Sequence, residues 1–518
     1  MRGKRVLPLA GILSLAAGFQ LLVLNGPFRF DYEGTGCFYG ILARNYFRHG
    51  LSAPWGVPVL SISQPPGAEV IPYHHHPPLV PLLVYASYAA FGVGEWQTRL
   101  PTAVFTVASA AALYTLVARC RARRAGLLAA AIFSATPMML YYGGLPEVVG
   151  MPLVFFVLLT LLAYQRFCET SSPRNAGMVC VGFAAAALSD WPVFFLLPLL
   201  AGHFLLTQPR RQWHWIVALC AWGGILLAAI YLYLTLASGA PWNWMIRQFQ
   251  LRSGGVPAFT AGQWLIEAWH TNASRHSIRV LVLAVAWTVG WSWRPGAPGL
   301  HAVRILLAWG FLHVLVGRQG VFIHEWWWMP LTAGLAAAAA IMLDTAAEYC
   351  GRQVPERLIN VMLVALLAVF GARMAMTTWH ERLHGEAGQP FTSVQLGQAI
   401  QTAAPDPDDV AIVVEASTHP PIWFYGDRGV KMDVWSVEDL HGRMADGIVD
   451  QAFGYRQQNA ARPTGIVVPR AYAELAPRLL EYLQANCRRL ETPHADKFCV
   501  YEVSGLGTDH SAGRVASP

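Results

Sequence analysis

The stretch that decides the fold covers residues 100–142 and reads LPTAVFTVASAAALYTLVA-RCRARR-AGLLAAAIFSATPMMLYY. Two apolar runs, 100–118 and 125–142, flank a short segment that holds four arginines. A run of about 20 mainly apolar residues can cross the hydrocarbon of a bilayer. Arginines between two such runs favour the cytoplasmic side. The stretch therefore predicts two membrane helices joined by a cytoplasmic turn.

The composition of the whole chain agrees with a membrane protein. Of 518 residues, 55% are hydrophobic and 13% are charged, about half of the usual charged share. A soluble chain of this length would need several cores, each with a polar surface, and the charges for such surfaces are missing. The 20 Trp, 24 Phe and 18 Tyr suit membrane interfaces. This composition excludes a soluble enzyme, a disordered protein and a disulfide-stapled miniprotein.

Further apolar runs lie along the first 378 residues. The complete set is 6–26, 100–118, 125–142, 149–166, 176–189, 191–207, 215–237, 278–293, 302–317, 328–344 and 357–378. The first run follows the basic segment Met1–Arg5, which is also typical of a signal peptide. Because so many spans follow, we interpret it as an uncleaved anchor.

Basic segments predict the orientation of these spans. The segments expected in the cytoplasm are the N-terminus, 119–124, 166–174, 209–211, 294–304 and 352–357. They agree with one another only if a shorter apolar stretch, 79–92, does not cross the membrane. We therefore expect a juxtamembrane helix there and about eleven spans, with the N-terminus inside and the C-terminus outside.

The two parts of the chain differ in charge. Residues 1–378 hold 25 basic and 12 acidic side chains, whereas residues 379–518 hold 12 basic and 18 acidic ones. A basic excess in the apolar part is a topology signal rather than a sign of nucleic-acid binding. We predict a membrane domain over 1–378, a soluble extracytoplasmic α/β domain over 379–505 and a flexible tail over 506–518. The fold class is thus mainly α, a helical membrane bundle with a small α/β domain.

Within the soluble domain, apolar runs predict strands at 410–414, 465–468 and 498–501, and helical periodicity covers 471–486. Cys487 and Cys499 are either a disulfide or two free thiols. The other six cysteines are scattered singly and indicate no metal cluster.

Acidic side chains are scarce, and most of those in the membrane part fall on the predicted outer face. The outer acids are Asp31, Glu33, Glu69, Glu95, Glu147, Asp190, Glu267 and Glu325, and the inner ones are Glu169, Asp344, Glu348 and Glu356. Asp31 and Glu33 lie just beyond the first span, where a carboxylate could take a proton from an attacking hydroxyl; solvated loop acids are the alternative. Glu147 and Asp190 each begin a re-entering helix, which the helix dipole alone favours.

Several other polar residues on that face are candidates for binding. Tyr73 precedes the adjacent histidines His74, His75 and His76, and Pro77-Pro78 then start a helix. Neighbours in sequence rarely converge on one ion, so we predict no metal site built from protein side chains alone. Arg99 could pair with Glu95 across one helical turn or belong to a site. His324 and Glu325 precede three tryptophans that are typical interfacial anchors.

In this order, these residues resemble the GT-C glycosyltransferases of the family 39 type, which includes protein O-mannosyltransferases and lipid A aminoarabinose transferases. The resemblance covers most of residues 1–340. It rests on the acidic segment at 31–33 with its continuation 40–50, on His76-Pro77-Pro78-Leu79, on 92–101, and on the acid before Met151-Pro152. In this chain Tyr32 separates two acids that are often adjacent in the family, and the second-loop acid, often Asp, is Glu147.

The resemblance implies a transferase that uses a sugar on a polyprenyl phosphate at the extracytoplasmic side of a bacterial inner membrane. A hydroxyl of a lipid, glycan or protein acceptor would attack the anomeric carbon with inversion. Asp31 or Glu33 would be the base, and Glu147 would orient the acceptor or a partner residue. Tyr73, His74 to His76, Arg99, Asp190, His324 and Glu325 would contact substrate or lipid phosphate. No cofactor is required by this reading, and a divalent cation is left open.

Two other functions would account for the same sequence. A transporter or lipid flippase would carry charges midway across the membrane and inverted repeats, neither of which the sequence indicates. A family member that binds donor without turnover would be a scaffold.

Overall fold

The computed structural model of the protein describes residues 7–29, 33–52, 55–62, 70–254, 259–290, 300–384, 389–415, 417, 419–459 and 461–503. These residues form two compact units. The first unit comprises Met1–Gly26, Pro54–Val57 and His74–Leu383, and the second comprises Pro27–Ala53, Pro58–Tyr73 and His384–Pro518.

The described residues are mostly helical. In chain order the helices are α1 (Leu7–Leu24), α2 (Gly34–His49), α3 (Leu79–Phe91), α4 (Glu95–Cys120), α5 (Arg123–Ala135), α6 (Pro137–Tyr142), α7 (Met151–Thr170), α8 (Pro173–Ser189), α9 (Leu196–Thr207), α10 (Trp213–Ser238), α11 (Trp244–Arg252), α12 (Ala261–Asn272), α13 (Ile278–Gly290), α14 (His301–Val316), α15 (Arg318–Ile323), α16 (Met329–Cys350), α17 (Glu356–His384), α18 (Ser393–Ala403), α19 (Pro420–Gly426), α20 (Val437–Ala445) and α21 (Pro477–Asn486). The strands are β1 (Val410–Val413), β2 (Gly429–Lys431), β3 (Ile448–Asp450), β4 (Arg456–Gln458), β5 (Pro463–Pro469), β6 (Arg488–Leu490) and β7 (Phe498–Glu502). The predicted fold class, a helical membrane bundle with a small α/β domain, is confirmed.

Five of the described helices are long and apolar enough to cross a membrane, taken with the short turns that extend two of them. They are Glu95–Cys120, Met151–Thr170, Arg210–Ser238, Glu325–Cys350 and Glu356–Glu381. Shorter apolar helices are Pro8–Leu24, Leu79–Phe91, Trp191–Thr207 and His301–Val316. The count of eleven spans stays a prediction. The stretch that was expected not to cross forms α3, whose 13 residues reach only about 20 Å at the α-helical rise.

Helix α16 lies at the centre of the first unit and packs on α5, α13 and α14. Two glycines bring α14 and α16 together. A Cβ on Gly310 would lie 2.7 Å from the Leu331 Cα, and one on Gly334 would lie 2.8 Å from the Leu307 Cα. Small residues at such crossings let two membrane helices approach closely. The side chains of α16 are consequently mostly buried, whereas those of α17 are mostly exposed, as a lipid-facing helix requires.

Ion pairs hold the ends of the helices that were predicted to face the cytoplasm. The fully buried carboxylate of Asp344 accepts from Arg121 at 3.1 Å and from Arg124 at 2.7 Å. Arg121 also pairs with Glu348. Arg119, from the same basic segment, donates to Glu169 at 2.8 Å. Three of the four acids assigned to the inner face thus have arginine partners there.

The second unit is built around a seven-stranded sheet with the order β4-β3-β2-β1-β5-β7-β6. Strand β1 pairs in parallel with β2 and β5, and the outer pairs are antiparallel. The three strands expected from the sequence correspond to β1, β5 and β7. The expected helix over 471–486 is in fact a 3-10 helix, Arg470–Leu475, followed by α21, because Pro477 can start a helix but cannot continue one.

The first loop contributes helix α2 to this unit, where it packs on α19. Arg44 of α2 donates to the Phe424 and Trp423 carbonyls at 2.9 and 3.1 Å and pairs with Asp427 at 2.6 Å. Residues 27–53 therefore fold with the C-terminal part of the chain. Cys487 and Cys499 are both free thiols, which decides between the two states that the sequence allowed.

Candidate active site

The first unit contains a cavity of about 410 Å³, within the range of about 300–1,000 Å³ that small-molecule sites span. Its polar lining comes from few residues, and most of the wall is aromatic or aliphatic. The lining residues are His75, His76, Asp190, Trp191, Pro192, Phe194, Phe195, Leu227, Trp244, Met245, Ile246, Gln248, Phe249, Arg252, Ser253, His313, Val316, Gly317 and Trp327. The lining thus combines a small polar group with a large apolar surface.

Two of the predicted residues form a hydrogen-bonded pair in this wall. Asp190 follows the last residue of α8, and its side chain is 2% exposed. His76 Nδ1 lies 2.7 Å from Asp190 Oδ1. The next residue, Trp191, donates its indole N–H to the His75 carbonyl at 2.8 Å. The end of α8 therefore fixes both histidines, and the carboxylate orients one imidazole.

His75 is a neutral imidazole at physiological pH. Its Nε2 lies 3.2 Å from the amide nitrogen of Gln248 on α11. Burial first, and then the positive charges of His76, His74 and Arg252, lower the pKa of His75 to about 3. A neutral imidazole can donate one hydrogen bond to a ligand without bringing a charge into the cavity.

Arg252 is the last residue of α11 and supplies the cavity with a permanent positive charge. Its guanidinium lies 5.2 Å from the centre of the Trp327 ring. Within the part of the chain that the structure describes, it forms no ion pair with a carboxylate. The backbone after it is held by Arg318, whose Nε donates to the Ser253 carbonyl at 2.7 Å. An anion in the cavity would therefore meet a guanidinium that forms no direct ion pair among the described residues, since the lining acid Asp190 is bonded to His76.

Glu147 lies in the turn between α6 and α7, and its side chain is almost fully buried. Its Oε1 accepts from the Val148 N–H at 3.0 Å. Burial, followed by the negative charge of Asp190, raises the pKa of Glu147 to about 8, although Arg252 acts in the opposite direction. At neutral pH this carboxyl is therefore mostly protonated and can donate a hydrogen bond.

Aromatic rings brace the histidine segment. The His74 ring packs edge-on against Trp244 at 5.1 Å, and the Trp191 and Trp244 rings lie 6.2 Å apart. The Trp244 indole N–H donates to Thr235 Oγ1 at 2.8 Å, so this tryptophan is held in place. His74 thus supports the wall without being part of the lining.

Glu147 is not part of the cavity lining either, and three further candidate residues of the first unit also lie outside it. Arg99 is buried, and its Nη1 donates to the Leu24 and Gly26 carbonyls at 2.8 and 2.5 Å, at the end of α1. His324 stacks on Trp326 at 4.6 Å, and burial followed by the charge of Arg252 lowers its pKa to about 4. Glu325 belongs to a separate ion-pair cluster.

That cluster is centred on Arg275, which the sequence did not single out. Arg275 Nε donates to Glu325 Oε2 at 2.8 Å, and its Nη1 donates to Glu381 Oε2 of α17 at 2.7 Å. Its guanidinium also lies 4.6 Å from the centre of the Tyr141 ring, and Tyr142 donates its hydroxyl to Glu325. Glu325 is therefore already paired.

Three candidates belong to the second unit. Asp31 lies outside the described residues. Glu33 is buried and caps the start of α2, where its carbonyl accepts from the Cys37 N–H at 3.2 Å. Tyr73 is buried, with its ring edge-on to Phe38 at 4.9 Å. Their roles stay predictions.

Among the described residues, no three His, Cys, Asp or Glu side chains are grouped closely enough to hold a metal ion. The participation of a divalent cation stays open.

Sequence reasoning missed Arg252, Gln248 and Trp244, all on α11. One signal was available, because Arg252 lies in a loop assigned to the outer face. Arginine is depleted there by the same rule that concentrates it in the cytoplasm, so an outer arginine needs another explanation.

The fold is the one found in membrane-embedded glycosyltransferases of the GT-C type, to which the chain is similar. Residues 75–237 match the family model for dolichyl-phosphate-mannose-protein mannosyltransferase. This segment contains His75, His76, Glu147 and Asp190. No curated protein sequence matches the chain.

Solved structures match over nearly the whole chain. ArnT from Cupriavidus metallidurans bound to undecaprenyl phosphate matches with a TM-score of 0.65 and 14% identity, covering 98% of this chain and 99% of that chain. The oligosaccharyltransferase AglB from Archaeoglobus fulgidus, in complex with an inhibitory peptide and a dolichol-phosphate, matches with a TM-score of 0.56 and 12% identity over 90% and 70%. These matches confirm the resemblance to GT-C glycosyltransferases that the sequence predicted.

Proposed function

We propose that the chain is an integral-membrane glycosyltransferase that moves a sugar from a polyprenyl-phosphate donor to an acceptor hydroxyl on the extracytoplasmic side. The observation that carries this proposal is the unpaired Arg252 beside His75 in a cavity whose remaining wall is apolar. A polyprenyl phosphate has the same two parts, one anionic group and one long hydrocarbon chain.

The polar end of the cavity suits a departing phosphate. As the sugar leaves, negative charge grows on the phosphate oxygen, and donors positioned in advance stabilise that charge. Arg252 would supply the positive charge, and the neutral His75 would supply a hydrogen bond. Asp190 would keep the neighbouring imidazole of His76 in a fixed orientation.

The reaction needs one base. The acceptor oxygen forms a bond to the anomeric carbon, the bond from that carbon to the phosphate oxygen breaks, and the acceptor proton moves to a carboxylate. Glu147 is mostly protonated at neutral pH and is better suited to donate a hydrogen bond to the acceptor or the sugar than to accept its proton. As the resemblance to the family implies, the base would be Asp31 or Glu33, and the product would be an inverted glycoside together with free polyprenyl phosphate.

A transporter or flippase remains the alternative. In the first unit, the buried Asp344 at the predicted inner helix ends is paired with two arginines, whereas His75, His76, Asp190 and Arg252 line one cavity. A transport path would need polar groups across the whole membrane, so we favour the enzyme.

Two measurements test the proposal. The first compares the lipids, glycans and proteins of the cell envelope with and without this chain by mass spectrometry, and a transferase should leave a hexose or pentose mass that disappears. The second measures binding of undecaprenyl phosphate to the purified protein. Arg252→Gln should weaken binding about 10- to 100-fold, because a hydrogen bond to a charged group contributes about 1.5–3 kcal/mol.

Arg247→Gln is the matched control, since Arg247 lies on the same helix but outside the cavity lining. Equal binding by the two variants would refute the role of Arg252. An unchanged set of envelope masses, with undecaprenyl phosphate moved across the bilayer by the purified protein, would favour the flippase.

A further inference from the structure

A second cavity, of about 270 Å³, lies in the first unit at the other end of α7, α8 and α10. It is lined by Tyr164, Phe167, Pro173, Ala176, Gly177, Val179, Cys180, Trp215, Ile216, Ala218 and Leu219. Gly177 and Ala218 are exposed on the surface of their helices, so the cavity opens outward between α8 and α10. Its wall is apolar, and its volume is below the range of about 300–1,000 Å³ for small-molecule sites. It suits one segment of hydrocarbon chain better than a whole ligand.

The rigid parts of this cavity are aromatic. Phe167 stacks on Phe204 of α9 at 5.7 Å, with an interplanar angle of 9°, and meets the Trp215 ring edge-on at 5.8 Å. Ser171 Oγ donates to Gln212 Oε1 at 2.9 Å and so joins the turn before α8 to the turn before α10. These contacts hold the three helix ends in place around the opening.

Four exposed arginines lie next to the lining residues, or within a few residues of them, in the sequence. Arg166 precedes the lining residue Phe167, Arg174 follows the lining residue Pro173, and Arg210 and Arg211 lie in the turn that leads into α10. None of the four has a carboxylate partner within the described ranges. Arginines 119, 121 and 124, which were assigned to the same membrane face, are paired with acids.

We propose that this cavity and its arginines bind an anionic phospholipid of the inner leaflet, with one acyl chain in the cavity and the phosphate at the arginines. The positive-inside tendency explains why arginines lie on this face. It does not explain why an apolar cavity that opens toward lipid lies beside them. Charge complementarity selects the occupant, because each arginine near an anionic lipid surface contributes about 1 kcal/mol and the wall is mainly apolar, with the Tyr164 hydroxyl already bonded to Leu200 and His203. This site does not depend on the proposed transferase activity.

The test uses the purified full chain, reconstituted in nanodiscs that contain equal amounts of phosphatidylglycerol and phosphatidylethanolamine with identical acyl chains. Native mass spectrometry then counts the lipids that stay bound after release from the disc. We expect the protein to retain phosphatidylglycerol over phosphatidylethanolamine. Replacing Arg174 and Arg211 together by Gln should reduce this preference roughly 30-fold, since each contributes about 1 kcal/mol.

Gly177→Leu tests the cavity itself. A Cβ on Gly177 meets nothing within 4 Å, so a leucine can be accommodated and would fill the opening. Gly202→Leu on α9 is the matched control, because its Cβ also meets nothing within 4 Å and it does not line the cavity. Gly177→Leu should lose retained phosphatidylglycerol, and Gly202→Leu should not. Equal retention of both lipids by the wild type would overturn the proposal, as would full retention by Gly177→Leu.

Discussion

Glu147 should make the protein less stable as pH rises, and Glu147→Gln should remove that effect. The folded protein raises the pKa of this carboxyl from 4.5 to about 8, so between these values the folded state binds a proton that the unfolded state has released. Stability then falls with increasing pH. The shift in the pKa of Glu147 corresponds to about 5 kcal/mol in the free energy of unfolding, at about 1.36 kcal/mol per pKa unit. Of this contribution, roughly 2.5 kcal/mol is lost between pH 5 and pH 7.

The difference between wild type and variant isolates this contribution. Glutamine is uncharged at every pH and keeps an oxygen that can accept from the Val148 N–H. Heat-unfolding midpoints in detergent, measured from pH 5 to pH 8, should be similar at pH 5, and the variant should become the more stable protein at higher pH. Glu267→Gln is the control, because Glu267 is an exposed acid of the same predicted face.

A second variant, Asp190→Asn, tests the same reasoning. The negative charge of Asp190 is the second cause of the raised pKa of Glu147. Asp190→Asn should therefore lower that pKa, and the loss of stability over the same pH range should become smaller. Parallel pH curves for wild type and Glu147→Gln would refute the reasoning. A wild type that gains stability relative to the variant between pH 5 and pH 8 would show that Glu147 is charged when folded.

Three further outcomes can be measured in the same purified protein. Asp344→Asn should destabilise the first unit by about 1–3 kcal/mol, because its fully buried carboxylate bonds two arginines that can still reach water after its loss; an unchanged unfolding midpoint would contradict this. Arg275→Gln should lower the free energy of unfolding by about 3 kcal/mol, because Glu325 and Glu381 lose their arginine partner. Proteolysis near the end of α17 should then accelerate. An unaltered digestion pattern would contradict this prediction. Thr392→Ala should cost the second unit about 1 kcal/mol, since it removes the capping box of α18, as hydrogen exchange in that helix would report.

The fold class could be predicted from the sequence because a membrane limits the kinds of segment that can cross it. Apolar length predicts the helices, and the stretch 100–142 forms α4 and, after the arginine turn, α5 and α6. The single helix expected over 125–142 is thus two short helices, because Pro137 starts a new one, and the direction of the spans stays a prediction. The strands of the soluble domain were predictable from buried runs. The boundary between Arg470–Leu475 and α21 was not, since helical periodicity continues through a proline that ends one helix and starts the next.

The long-range partners of the first loop were beyond reach of pattern alone. Helix α2 has a buried apolar face, but nothing local in residues 27–53 names α19 as the surface that covers it. Arg44 and Asp427 are more than 380 positions apart in the chain. A single sequence shows which side chains need a partner and leaves open which ones meet.

The candidate site shows the same limit in its electrostatics. Because charged residues are scarce, the sequence was enough to select Glu147 and Asp190 as candidates. It could not show which arginines are paired with acids and which are not. Their partners separate them: the arginines bonded to Asp344 hold helix ends together, whereas Arg252 faces a cavity whose lining acid, Asp190, is bonded to His76. Arg252 is half-buried, and because a charge taken partly out of water is costly unless something compensates it, water or a ligand must supply that compensation here. Within the described first unit, that reasoning makes an anionic ligand the natural occupant of the cavity at Arg252.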